Sequence, residues 1–517
     1  MARQGAEALN PPGTTPQLPQ PATLAHALAR HAAERGDALA VHYLTAGGVR
    51  REHSYAELHR AALALGARLA DLPGDQSDQP FVLIALPGGL DYVTAFFACL
   101  AAGATAVTYH PPALSSARAG RGYDERLARI LRDCRPSAVL AETDLHERLA
   151  RVGAEVGLTP WLLDPTRADE AAEGPPPLAE PLARPERLGL LQYTSGSTSE
   201  PKGVMVSNAN LVHNAAGLAA NLGSGPGQTA VGWLPLFHDM GLIGMICHPV
   251  LAGMAVRMST PAVFLRQPVS WLREISDHRA TVTIAPDFGY ATAARKIPEH
   301  RRDGLDLSSL RHALNGAEPV RPRTIEEFAK QYAPWGLDPH AMMPVYGLAE
   351  GTLCVTCLDH RAEPALSEVS APELRAGRVA PADGPRRVVL VGCGRSFTED
   401  TDVAVVDPAT RRRQPEGHVG EIWVNGPSVA GGYWRRPEAT EEIFAAVRRA
   451  VVETHGVPVS EMGLLRPGAV PRTTSGKVQR RESARRWAAG EFTTLARWPD
   501  TGDADPRTPD TTTEESQ

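Results

Sequence analysis

Apolar positions along the chain recur in two alternating registers, one of helices and one of short strands. Residues 24–35 follow the helical period, and residues 38–43 read as a strand. Ser54 is placed to cap a helix running from Tyr55 to about Asp71. Residues 81–86 are a continuous apolar run, a buried strand. The stretch 92–109 holds no charged residue over 18 positions, close to the length of a membrane span. Gly103 interrupts it, however, and residues 105–109 turn β-like before His110 and two prolines, which predicts a buried helix followed by a strand. Helix 126–134 and strand 138–141 repeat that unit. Further on, residues 190–193, 281–286, 310–320, 387–391, 401–406 and 420–424 read as strands, and residues 208–222 as a helix. Strands alternating with helices imply a parallel α/β sheet.

Composition adds boundaries to this picture. At 517 residues the chain exceeds one ordinary domain. Residues 1–22 are rich in Pro, Gln and Thr and are expected to be a disordered tail without the apolar core of a signal peptide. Residues 165–187 read as a linker, and residues 358–386 as a long polar insertion. Residues 491–517 carry seven acidic and two basic side chains and read as a disordered acidic tail. Hydrophobic content of 43% with 22% charge is that of a globular protein, and a net charge of −6 argues against nucleic acid as a partner. Six cysteines are too few for a disulfide framework and fit a reducing cytoplasm. The pair Cys354 and Cys357 lacks two further zinc ligands at suitable spacing and reads as core.

The chemistry is concentrated in four stretches. Residues 191–203, LQYTSGSTSEPKG, pass from an apolar strand into a hydroxyl-rich loop. Gly196 and Gly203 permit the backbone to curl into an anion-binding nest. Thr194, Ser195, Ser197, Thr198 and Ser199 add hydroxyls, and Lys202 adds a positive charge. This is a phosphate loop, though not of the G-x-x-x-x-G-K-[ST] type. Residues 232–244 read GWLPLFHDMGLIG, residues 310–320 LRHALNGAEPV and residues 343–350 MPVYGLAE; PRTTSGKVQRR follows at 471–481.

The loop YTSGSTSEPKG resembles the signature of the adenylate-forming superfamily, whose members use ATP to turn a carboxylic acid into an acyl-adenylate. That resemblance covers residues 24–435 and, in part, 447–490. It implies ATP held by Thr194, Ser195, Gly196, Ser197, Thr198, Lys202 and Gly203, with Asn315, Gly316, Ala317 and Glu318 along the adenine and Tyr346 and Gly347 stacked on it. Glu350 would hold Mg²⁺, and Lys477 matches the catalytic lysine. His238, with Gly241, Gly244 and Phe288, would shape the acid pocket, the glycines letting an acyl chain lie close to backbone. His238 also stands where amino-acid-activating relatives carry Asp, which favours an acid without an α-amine. FHDMGLIG, the LAE ending and the insertion resemble the fatty acyl-AMP ligase branch, whose members pass the acyl group to an acyl carrier protein or polyketide synthase.

The implied fold is α/β: a large N-terminal domain at 23–435, made of two α/β subdomains and a smaller β-rich one, then a truncated α+β C-terminal domain. The chain departs from the family after residue 435. Where a Thr-Gly-Asp motif and a hinge are expected, a junction at 436–446 passes straight into 447–490, a remnant of the C-terminal domain. Residues 440–454 could form one helix across that junction. Thr501-Gly502-Asp503 lies in the tail, where no strand is expected to precede it, and reads as coincidence. Three functions remain open: a fatty acyl-AMP ligase, an impaired ATP- or acyl-binding pseudoenzyme, and a coenzyme A ligase.

Overall fold

The computed structural model describes residues 21–45, 47–72, 79–110, 117–167, 178–194, 201–359, 362–382, 384–436, 462–465, 480–492 and 494–498. Two sheets organise the large domain. The first has six strands in the order Trp161–Leu163, Ala138–Leu140, Phe81–Ile84, Thr105–Thr108, Leu188–Thr194 and Lys202–Ser207. All its pairings are parallel except the last, where Leu188–Thr194 and Lys202–Ser207 form a hairpin whose end pair is Thr194 and Lys202. The two strands that flank the hydroxyl-rich stretch are therefore the arms of one hairpin.

Alternation along these strands feeds two cores. Val82 and Ile84 face one cluster while Phe81 and Leu83 face the other, and Leu190 and Leu191 divide in the same way. Period-two geometry demands this of a strand covered on both faces, which is why such strands are continuously apolar. The uncharged stretch resolves into helix Leu90–Ala101 and strand Thr105–Thr108, with Gly103 at φ +71° making the turn. No helix among the described residues is long and apolar enough to cross a membrane.

The second sheet has nine strands. Its six central strands, Met342–Gly347, His312–Gly316, Val282–Pro286, Thr229–Gly232, Ala255–Ser259 and Leu39–Leu44, are parallel. Antiparallel strands close both edges: Arg50–Ser54 on one side, Cys354–Cys357 and Arg395–Ser396 on the other. Helix Tyr55–Leu69 starts at Ser54 in a full capping box with Glu57, and helix Asn208–Leu222 starts in another between Ser207 and Asn210. Cys354 and Cys357 are buried free thiols, and no metal-binding cluster occurs among the described residues.

Several stretches take a form that the sequence left unspecified. Strand Val282–Pro286 runs directly into helix Asp287–Lys296, whose buried Asp287 carboxylate accepts from Arg321, Thr324 and Asn315. The strand expected over 310–320 is only His312–Gly316. The apolar helix after Asp239 is a π-helix, Met240–Cys247. The insertion is ordered in part, since Leu366–Ser370 pairs antiparallel with Arg387–Val391 around a short helix, Ala371–Arg375. A second hairpin, Asp402–Val406 with Glu421–Asn425, completes the small β-rich region.

At the C-terminus, helix Arg480–Ala488 is followed by strand Thr494–Trp498, paired with Met462–Leu465. The tail is thus not wholly irregular, and a strand does precede Thr501. Its acidic residues cluster after 499, so an average over 491–517 hid five residues of strand. The N-terminal tail before residue 21, most of the junction and the helix expected over 440–454 lie outside the described residues.

Candidate active site

The hairpin of Leu188–Thr194 and Lys202–Ser207 is held from both sides. Tyr193 donates its hydroxyl to Asp133 Oδ2 at 2.6 Å, and Gln192 Nε2 donates to the Phe237 carbonyl at 3.1 Å, tying the loop's entry strand to the FHDMG segment. On the exit side, residues 430–434 lie along Lys202–Ser207 as an extra antiparallel segment. Trp434 N–H donates to Gly203 O at 2.8 Å, Met205 N–H to Gly432 O at 2.9 Å and Gly431 N–H to Met205 O at 2.8 Å. Ser195, Gly196, Ser197 and Thr198 lie outside the described residues, as does Lys477.

Glu350 sits on a 3₁₀ turn, Ala349–Gly351, that ends in an unusual way. Thr352 has φ +69° and ψ −57°, and Leu353 N–H donates to Gly351 O at 2.8 Å, which makes a γ-turn of the rare, strained hand. Such a conformation costs on the order of 1–3 kcal/mol and persists only where its surroundings hold it. Here they do. Asn214 Nδ2 donates to the carbonyls of Gly351 and Cys354, its Oδ1 accepts from Cys354 N–H, and the Thr352 hydroxyl donates to Ser428 O. Gly347 permits the fold-back, since a methyl group there would sit 1.9 Å from the Leu353 carbonyl oxygen.

A cavity of about 150 Å³ brings three motifs together: His238, Asp239 and Met240, then Ala317, then Tyr346 and Gly347. Leu218, Ile284, Leu314, Val345, Leu353 and Cys354 complete its wall. His238 Nδ1 lies 2.6 Å from Asp239 Oδ1. That contact, against the opposing effect of burial, raises the imidazole pKa. Burial and the nearby Glu350 carboxylate raise that of Tyr346, so its ring stays a neutral phenol.

The other expected residues are placed differently. Asn315 is fully buried beneath its turn, donating to Asp287 Oδ1. Gly316 faces Val345, and Ala317, at φ +63°, is the residue of that turn that reaches the cavity. Glu318 turns back to accept from Phe288 N–H at 2.7 Å. Phe288 itself is 42% exposed, edge-on to Trp233, and is not among the cavity's lining residues. Nor are Gly241 and Gly244: a methyl group on the first would lie 2.2 Å from Pro235 O, and on the second 3.0 Å from Ile284 Cδ1. Both glycines pack against protein atoms, Gly244 against the cavity-wall residues Ile284 and Leu353.

The model of the AMP-binding enzyme family matches residues 28–434. The chain belongs to that family. Among the relatives of this AMP-binding enzyme is a putative fatty-acid–CoA ligase of Mycobacterium tuberculosis, 35% identical over 408 residues, covering 77% of this chain and 68% of that one. A medium-chain-fatty-acid–[acyl-carrier-protein] ligase of Moorena producens is 35% identical over 426 residues, covering 80% and 70%. Among solved structures, a fatty acyl-adenylate ligase of Legionella pneumophila, in complex with acyl adenylate and pyrophosphate, superposes with a TM-score of 0.70. It is 26% identical and covers 92% of this chain and 98% of that chain. Within the adenylate-forming superfamily, this AMP-binding enzyme falls in the fatty acyl-AMP ligase branch.

Sequence reasoning missed the residues that fix the site of this AMP-binding enzyme. Asn210, His213 and Asn214 stand at i, i+3 and i+4 on a helix otherwise rich in Ala and Leu, a polar stripe that could have been noticed. Asn210 Nδ2 reaches the carbonyls of Pro427 and Val429, and His213 Nδ1 lies 2.7 Å from Ser428 Oγ. The Tyr433 hydroxyl donates to Glu350 Oε1, and Lys202 Nζ lies 5.1 Å from its ring centroid.

Proposed function

We propose that this enzyme activates a fatty or similar carboxylic acid with ATP, forming acyl-AMP and releasing pyrophosphate, and hands the acyl group to a carrier protein or polyketide synthase. The observation that supports this most directly is the shared cavity, where FHDMG, the Ala317 turn and the tyrosine motif converge. Its lining is largely apolar with His238, Asp239 and Tyr346 as its polar members, as an amphiphilic acid and an adenine require. The organisation that goes with this reading is an adenylating domain at 23–435 and a reduced C-terminal unit at 447–490, in a cytoplasmic protein.

The acid needs no general base, because a carboxylate is already ionised at pH 7. The protein's task is to bring two anions into line and neutralise their charge. In this reading the 194–203 loop and Lys202 hold the phosphates. Lys477 steadies charge at the α-phosphate, and Tyr346 covers the adenine. The donor set suits Mg²⁺: Glu350 offers a hard carboxylate whose Oε2 has no hydrogen-bond partner among the described residues, and ATP would bring phosphate oxygens. When bound, the ion would neutralise phosphate charge.

Pyrophosphate release from ATP, measured with saturated fatty acids of graded length, tests the proposal. Release is expected with at least one length and should fall on the order of 10²-fold or more in Lys202→Ala. A specific observation favours a second reading, a nucleotide- or acyl-binding pseudoenzyme: no Thr-Gly-Asp occurs between residue 436 and Lys477. Nucleotide binding without release above the Lys202→Ala level would select it. Acyl-CoA formed in the same reaction would instead assign a coenzyme A ligase.

A further inference from the structure

We infer that Tyr433 is a positioning residue that holds Glu350 and Lys202 apart and aims both at one nucleotide; this rests on the site proposed above. Glu350 and Lys202 carry opposite charges and come from different sheets, yet they form no ion pair with each other. Tyr433 stands between them. Its hydroxyl donates to Glu350 Oε1 while its ring faces the Lys202 ammonium at 5.1 Å. Each group thereby has a partner that leaves its charge intact, which a direct ion pair would not.

The backbone makes this arrangement stiff. Tyr433 bridges Val204, Trp434 N–H donates to Gly203 O, and Ala430 N–H donates to Glu350 O at 2.7 Å. The neighbouring Trp434 ring is wedged edge-on against buried Phe81, with centroids 4.7 Å apart. Segment 430–434 therefore fixes both the strand carrying Lys202 and the turn carrying Glu350. By occupying one oxygen, Tyr433 sets the orientation of the other, as outer partners do for metal-binding carboxylates.

Two variants separate the hydroxyl from the ring. Tyr433→Phe keeps the face toward Lys202 and removes the donor; Tyr433→Leu removes both. Electron paramagnetic resonance of Mn²⁺ with a non-hydrolysable ATP analogue reads cation retention, and nucleotide binding in chelator reads the lysine. Tyr433→Phe should weaken Mn²⁺ retention about 10-fold and leave metal-free nucleotide binding unchanged. Tyr433→Leu should also weaken metal-free binding by about 2- to 5-fold. Wild-type Mn²⁺ retention in Tyr433→Phe, or a loss that only tracks a lower melting temperature, overturns the assignment. Neither readout needs turnover, so a protein that binds both probes normally but activates no acid would sink adenylation and leave Tyr433's role standing.

Discussion

A methyl group added at Gly241 would press into the Pro235 carbonyl at 2.2 Å, at the very start of the π-helix that follows His238. Overpacking of this kind costs about 1–3 kcal/mol. Gly241→Ala should therefore lower the melting temperature and reduce activity with every acid alike. A changed chain-length preference with an unchanged melting temperature would return Gly241 to the acyl pocket. His238 is governed by charge. Asp239 raises its pKa, so the stabilisation from their contact is complete below about 6.5 and fades as pH rises through the higher folded value. In Asp239→Asn, the His238 titration midpoint followed by NMR should move down. An unmoved midpoint would remove Asp239 as the cause.

Helix Asn208–Leu222 acts as a buckle. Its Ala and Leu positions bury against the core, while Asn210, His213 and Asn214 clasp residues 427–429 and the γ-turn at Thr352. Asn214→Leu would take this partner from the Cys354 N–H and carbonyl and leave the Gly351 carbonyl with Leu353 N–H alone, at a cost of about 1–3 kcal/mol for each group left unsatisfied. The expected result is a lower urea midpoint together with weaker Mn²⁺–nucleotide binding, because the strained turn carrying Glu350 would relax. Loss of stability with wild-type cation binding would show that the turn holds its shape without Asn214. The helix's bounds were legible from its apolar period. Its partners were not, since they lie more than 130 residues away in the chain.

Across the whole molecule, burial sets the response to acid. His248 is completely buried between Ser224 and Gly244, and its pKa is lowered to about 4, chiefly by desolvation. A depressed histidine is neutral when folded and protonates first in the unfolded chain. Its contribution is therefore full above about 6.5 and is lost as pH falls toward about 4. This one group accounts for on the order of 3 kcal/mol at most. Burial lowers His31 and His42 in the same direction. Urea midpoints should decline from pH 6.5 to pH 4, and less steeply in His248→Gln. An equal slope in the variant would clear His248.

The sequence by itself determined the α/β class, most strand and helix positions, the family and the order of the motifs. Those are local: apolar period, caps, and glycines at turns act within a few residues. Even the exception at the C-terminus was a matter of averaging, because five strand residues were diluted by acidic neighbours. Tertiary structure alone decided that Ala317 reaches the cavity while Asn315 and Glu318 turn away. It alone gave Gly241 and Gly244 to packing, and set Tyr433 between Lys202 and Glu350. The physical reason is that side-chain direction depends on which surface a strand end or turn meets. For Tyr433 that surface comes from a strand more than 200 residues earlier in the chain.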